Sequence, residues 1–245
     1  MVSRIKLNKI VLFGDSITEL SSNQEYGFNL APALQHEYFR KLQVITHGYG
    51  GYNTEHARHI LDPILDAEST GGSEIRLLTI FFGANDAAEA SNTQQHVPLE
   101  RYAENLRFLL LRAQDRCIPV ILIGPAFLRR AGEDINEDDM SVISFSYSEA
   151  AREVAGELNV PFVNLWNAFS QQGDRKDLFT DGVHLSGKGY RILYDLIRLT
   201  IREQYPLLRT ENLHLTLPHI FDIDNNDLPA SLLGEASHLS KSGSN

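Results

Sequence analysis

Ile10-Val11-Leu12-Phe13-Gly14-Asp15-Ser16-Ile17-Thr18-Glu19 is an apolar run that breaks on a glycine and turns polar. Four consecutive large apolar residues have the length of a short strand, and their lack of alternation suits a strand covered on both faces. Runs of the same kind recur at 42–45, 77–82, 119–123 and 162–165. Between and after them lie stretches of helical character at 28–41, 53–67, 99–116, 144–158 and 188–205. The clearest is 99–116, where Tyr102, Leu106, Leu109, Leu110 and Ala113 fall on one face. Strand followed by helix, five times over, predicts an α/β fold with a doubly wound parallel sheet. In such a sheet ligands bind beyond the carboxyl ends of the strands, so the residues that follow each run are where chemistry is expected.

Composition narrows the partners. The chain of 245 residues carries 32 acidic and 22 basic residues, a formal net charge of -10. No cluster of Lys and Arg offsets it, so a nucleic-acid partner is not expected and a neutral small molecule is. Cys117 is the only cysteine, which rules out an intrachain disulfide and fits a reducing compartment. The apolar run at 10–13 is too short for a signal peptide, and no run of about 18 apolar residues exists to span a membrane. The expected location is the cytoplasm.

Four motifs follow four of the strands. In the first, Ser16 is a candidate nucleophile beside a turn that Gly14 permits, although Asp15 or Ser16 could equally cap the next helix. The second, Gly48-Tyr49-Gly50-Gly51-Tyr52-Asn53-Thr54, is an ordinary turn or a loop whose bare N–H groups face an anion. It lacks the spacing of a dinucleotide-binding loop, and Glu55 would repel a phosphate there. The third places Asn85 in Gly83-Ala84-Asn85-Asp86, as an uncharged donor to a developing oxyanion or as an Asx turn. The fourth is Thr180-Asp181-Gly182-Val183-His184, in which the carboxylate can take the imidazole Nδ1 proton and leave Nε2 toward a serine. No set of His, Cys and carboxylate residues is spaced for a metal, and the other eight histidines read as solvated bystanders. Placed in order after separate strands of one sheet, the four motifs would converge on a single cleft.

Taken together, GDSIT, GYGGYNT, GAND and DGVH resemble the four sequence blocks of the SGNH (GDSL-type) hydrolase superfamily over about residues 8–205. The longer stretches FGDSITE, TIFFGANDA, VPLERYAENLR, PVILIGP and TDGVHLSGKGY are similar to the isoamyl acetate-hydrolysing esterase subgroup. The resemblance implies a three-layer α/β/α sandwich with five parallel strands in flavodoxin-like order. It implies Ser16, Asp181 and His184 as the catalytic residues, and Ser16 N–H, Gly51 N–H and the Asn85 amide as the oxyanion hole, with Gly14 and Asp15 supporting. No cofactor or metal is implied. The implied activity is hydrolysis of a small ester, with short-chain acetates foremost; acyl transfer or deacetylation of an alcohol, lipid or sugar by the same triad is the alternative.

The chain divides into a hydrolase domain over 1–207 and an extension over 208–245. Within the extension, Leu213, Leu215 and Leu217 alternate with polar residues as a half-buried extended segment does, and Ile220 and Phe221 add to its apolar character. The expectation is that 208–233 packs on the body or across a homodimer interface and helps shape the substrate pocket, and that the Ser-rich 237–245 is disordered.

Overall fold

The computed structural model describes residues 5–126, 137–173 and 175–233, with side chains of the helix at 137–157 described from Val142 onward. The stretch at 237–245 lies outside the described residues.

Five strands form one parallel sheet: β1 (Lys9–Gly14), β2 (Gln43–Gly48), β3 (Ile75–Phe81), β4 (Val120–Ile123) and β5 (Phe162–Val163), in the order β2-β1-β3-β4-β5. This is the flavodoxin-like order, and the expected α/β/α sandwich holds. Ile10, Val11, Leu12 and Phe13 of β1, an interior strand, are each no more than 1% exposed, which is why their run is continuous. Burying one such side chain contributes about 1.5–3 kcal/mol, so this strand anchors the core. Strand β2 lies at the sheet edge and is only half-buried throughout, so it admits Thr46 and His47 beyond the apolar stretch that marks its first half.

Helices cover both faces. The main ones are α2 (Leu30–Glu37), α3 (Thr54–Glu68), α4 (Leu99–Asp115), α5 (Glu137–Glu157) and α7 (Gly187–Gln204), with short turns of helix at α1 (Ser16–Glu19), α6 (Leu165–Ser170) and α8 (Leu228–Leu233). α3, α4 and α5 pack side by side, and α2 packs against α7. All five face residues expected of α4 are fully buried. α2 is shorter than its pattern suggests because the chain turns at Arg40, whose φ is 59°. α5 begins at Glu137 rather than at Ser144, over a stretch without the apolar spacing that marks its second half.

In the segment after α7, single helical turns at Pro206–Leu208, Thr210–Asn212 and Ile220–Asp222 flank the leucine stretch, in which Leu213, Leu215 and Leu217 are half-buried and non-helical, as their alternation suggests. Leu208 is buried and Leu213 packs on the core, whereas Ile220 and Phe221 are exposed. Its contacts run to the loop before β2: the Tyr38 hydroxyl donates to the Leu208 carbonyl, Lys41 Nζ to the Thr210 carbonyl, and the Arg40 guanidinium to the carbonyls of Leu217 and Pro218. A cavity there is lined by Asn8, Lys41 and Arg76 from the body and by Leu207, Asn212 and Leu213 from the tail. These contacts lie at the amino ends of β1, β2 and β3, opposite the strand ends that carry the motifs. No helix among the described residues is long and apolar enough to cross a membrane.

Candidate active site

Strand β1 delivers its serine through a tight turn. A Cβ on Gly14 would stand 2.1 Å from Thr18 Oγ1 and 2.5 Å from the Phe81 carbonyl, so only glycine lets α1 fold back on the strand end. The Asp15 side chain caps α1 by accepting from Ile17 N–H at 2.9 Å. Asp15 is therefore the cap, and Ser16 is left free of that task.

The fourth motif closes on itself as a small hairpin. Phe179 and Leu185 form an antiparallel bridge, and Thr180 N–H donates to the His184 carbonyl at 2.8 Å. Gly182 takes φ 90°, the left-handed region that lets Asp181 wrap around its own loop. Asp181 Oδ1 accepts from the N–H groups of Val183 and His184, while Oδ2 lies 2.6 Å from His184 Nδ1. His184 Nε2 lies 2.9 Å from Ser16 Oγ, across 168 residues of sequence. Burial alone would raise the Asp181 carboxyl, but bonds from the His184 imidazole and the two N–H groups outweigh it and hold it below its ordinary value. An ionised carboxylate here favours the tautomer with its proton on Nδ1, which leaves Nε2 free to accept from the serine.

The loops that carry Gly51 and Asn85 are tied together. Gly51 has φ 78°, which turns the loop after β2, and the Asn85 amide donates to the Tyr52 carbonyl at 2.8 Å. Asn85 is 7% exposed. Among the described residues, no acceptor within the protein meets the N–H of Ser16 or of Gly51. Tyr49 stacks on Tyr52, which in turn lies against His56, so the Gly-rich loop is braced by aromatic rings.

Several residues that sequence reasoning left without a role brace the site. Asp86 is buried and accepts from Thr54 N–H at 3.0 Å and from the Thr54 hydroxyl, tying the loop after β3 to the start of α3. The Tyr190 hydroxyl of α7 donates to the Ile17 carbonyl at 2.7 Å. Burial pushes Asp15 up to about 7, against the Ile17 N–H bond and with the nearby Asp86 carboxylate adding to the rise. Burial likewise pushes Asp86 up to about 7 against its bonds from Thr54. Three other histidines are not the bystanders that the sequence suggests. His96 Nδ1 lies 2.7 Å from the Ala88 carbonyl. His47 on β2 bonds Glu68 through Nε2 and Tyr49 through Nδ1. His56 closes the capping box of α3 with Asn53. No group of three or more His, Cys, Asp or Glu residues among the described residues is placed to hold a metal.

A parallel sheet in this strand order, with a serine and an imidazole meeting at its carboxyl edge, is the frame of the SGNH class of carboxylic ester hydrolases. A lipase/acylhydrolase from Enterococcus faecalis has the same fold at a TM-score of 0.65 and 25% identity, covering 85% of this chain and 98% of its own. The acetylxylan esterase Axe2 from Geobacillus stearothermophilus shares the fold at a TM-score of 0.63 and 21% identity, over 80% and 95% of the two chains.

The chain belongs to the GDSL-like lipase/acylhydrolase family, which residues 12–192 match, and it is a carboxylic ester hydrolase. It is 37% identical over 231 residues to the isoamyl acetate-hydrolyzing esterase of Saccharomyces cerevisiae, covering 88% of this chain and 94% of that one. It is 32% identical over 244 residues to the human isoamyl acetate-hydrolyzing esterase 1 homolog, covering 94% of each.

Proposed function

We propose that this chain hydrolyses short-chain carboxylic esters, acetates foremost, through an acyl-enzyme on Ser16. The observation that carries the reading is the line Asp181 Oδ2, His184 Nδ1, His184 Nε2, Ser16 Oγ, with separations of 2.6 Å and 2.9 Å at its two gaps. The acetate preference rests on likeness to relatives named for isoamyl acetate, and the same triad could serve an acceptor alcohol in place of water.

In the first step His184 Nε2 takes the Ser16 hydroxyl proton as Oγ forms its bond to the ester carbonyl carbon. The carbonyl π pair moves onto oxygen. Ser16 N–H, Gly51 N–H and the second hydrogen of the Asn85 amide are the donors to that oxyanion. Collapse breaks the bond to the alkoxy oxygen, which leaves as alcohol with the proton from His184. In the second step His184 removes a proton from water as the water attacks the acyl-enzyme, and then returns that proton to Ser16 as the acid departs. Asp181 stays ionised throughout and stabilises the imidazolium.

The test is a panel of esters graded in acyl and alcohol length, assayed with the wild-type chain and with Ser16→Ala, each with and without an added alcohol acceptor. Hydrolysis fastest on acetates and absent in the variant is the expected result. Ester exchange outrunning hydrolysis would assign the triad to acyl transfer.

A further inference from the structure

Glu19 stands outside the proton relay, at the last residue of α1, the single helical turn that Ser16 opens. Its Oε2 accepts from Gly50 N–H, in the loop after β2, at 2.5 Å. The side chain is exposed, and among the described residues no cation pairs with it, so nothing draws it away from Gly50. A bond from an N–H to a carboxylate is also stronger than one to a neutral acceptor.

That bond decides which N–H of the loop is left over. Tyr49 N–H donates to the Gly14 carbonyl at 3.0 Å, and Tyr52 N–H donates to the Tyr49 carbonyl at 3.1 Å. Gly50 N–H is held by Glu19. Gly51 N–H, between them, meets no acceptor within the protein. Two adjacent glycines offer two bare N–H groups, and residue type does not tell them apart; the Glu19 bond does. A peptide unit is planar, so pinning Gly50 N–H fixes one plane, and only the φ and ψ of Gly50 separate it from the plane that carries Gly51 N–H. Glycine is the residue whose freedom most needs such a restraint.

Packing keeps the reach short. A Cβ on Gly48 would stand 2.0 Å from Glu19 N, and one on Gly50 would stand 3.0 Å from Glu19 Oε2. α1 therefore lies directly against the end of β2, and Glu19 N–H is itself held by the Asp15 carbonyl at 2.9 Å. One turn of four residues carries Ser16 at its first position and the anchor of the glycine loop at its last. Ser16 N–H and Gly51 N–H, the two backbone donors of the esterase reading, are thus set in register through α1. The Glu19 carboxylate is in water, which weakens its repulsion of a developing oxyanion, and what it passes on is geometry.

We propose that Glu19 is a positioning residue for ester hydrolysis. By taking Gly50 N–H it sets the direction of Gly51 N–H, and it assigns the oxyanion to Gly51 rather than to Gly50.

The test compares Glu19→Gln with Glu19→Ala in the full chain, by ester kinetics and by NMR of amide hydrogen exchange at Gly50. The kinetic arm rests on the esterase reading; the exchange arm does not. Gln keeps an acceptor oxygen at the same reach and lacks only the charge. Glu19→Gln should keep both kcat and the Gly50 exchange rate within about threefold of wild type. Glu19→Ala has no acceptor, and Gly50 N–H should exchange at least about tenfold faster. Its kcat should fall by at least about tenfold with KM little changed, because a misdirected donor costs the transition state and not the bound ester. Both variants should melt within about 2 °C of wild type, since the side chain is exposed. Unchanged Gly50 exchange in Glu19→Ala overturns the anchor. Unchanged kcat in Glu19→Ala overturns the positioning role, whether or not KM rises, and so does an equal loss of kcat in Glu19→Gln. A wild-type chain that turns over no ester defeats the esterase reading, and the exchange results then judge the anchor alone.

Discussion

The Asn85 side-chain amide donates to the Tyr52 carbonyl oxygen across 2.8 Å, which ties the loop after β3 to the loop after β2. One of the two amide hydrogens is thereby committed and its direction fixes that of the other, which is left for the cleft. A donor pre-set in this way costs no reorganisation when charge develops, and that is where such groups earn their rate. Asn85→Ala should lower kcat by about a hundred- to a thousandfold with a small change in KM. Asn85→Asp should fare worse, since a carboxylate oxygen would face the Tyr52 carbonyl and a second negative charge would face the oxyanion. Steady-state kinetics of the two variants decide it; a raised KM with unchanged kcat would assign Asn85 to substrate binding instead.

Ser16→Ala should abolish turnover and covalent labelling by a fluorophosphonate. The Ser16 hydroxyl bonds His184 and bridges no structural elements apart from that contact, so the melting temperature should move by no more than about 2 °C. Near wild-type turnover in this variant would falsify the acyl-enzyme route, whatever the folded state of the protein.

Asp181→Asn should lower kcat by about ten-thousandfold. The Asn oxygen can still take the two loop N–H groups, but its NH2 then faces His184 Nδ1. The imidazole proton moves to Nε2, where it opposes proton transfer from Ser16. The wild-type carboxyl also links the loop to pH. Its folded value is held below the ordinary 3.8, so its stabilisation is present above 3.8 and is lost as pH falls through the lower, folded value. The carboxyl is more than half exposed, so screening keeps this contribution small. Melting curves from about pH 5 down to about pH 2 should show a slightly flatter acid limb in Asp181→Asn than in wild type.

What was legible in the sequence was local. Ser16 and Asn85 each follow an apolar run directly, and a strand of the parallel sheet ends just before three of the four motifs, whereas α6 and a helical turn at Lys176–Leu178 separate β5 from the Asp181 to His184 loop. Asp86 stood in the same short stretch as Asn85 yet carried no signal of its own, because its partner Thr54 is 32 residues away and is brought beside it by the strand order. An acid next to a candidate oxyanion donor, in a loop flanked by Phe82 and Ala87, is the hint that could have marked it as buried. His47 was missed for a different reason: an edge strand tolerates polar residues, so the apolar run stops before the strand does. The end of α2 at a left-handed Arg40 has no composition that announces it.

The tail is held by more than its apolar spacing. Leu208 is buried beneath the Tyr38 hydroxyl bond, and Arg40 and Lys41 hold three further tail carbonyls. Truncation after Leu207 removes all of these, leaving Tyr38 with an unmet buried donor and the apolar faces of α7 and the loop before β2 in water. The melting temperature should fall by several degrees, since a buried leucine alone is worth about 1.5–3 kcal/mol and about 2–4 °C accompanies each kcal/mol in a chain of this size. All four contacts lie at the amino ends of the strands, away from Ser16, so the order of preference across an ester panel should survive the truncation. Truncation after Ala236 keeps every one of these contacts and should leave both properties as they are. A shift in ester preference after the longer deletion would mean that Ile220 and Phe221, exposed on this chain, reach a cleft on another copy; size-exclusion chromatography of the same two truncations would then show the longer one losing its partner.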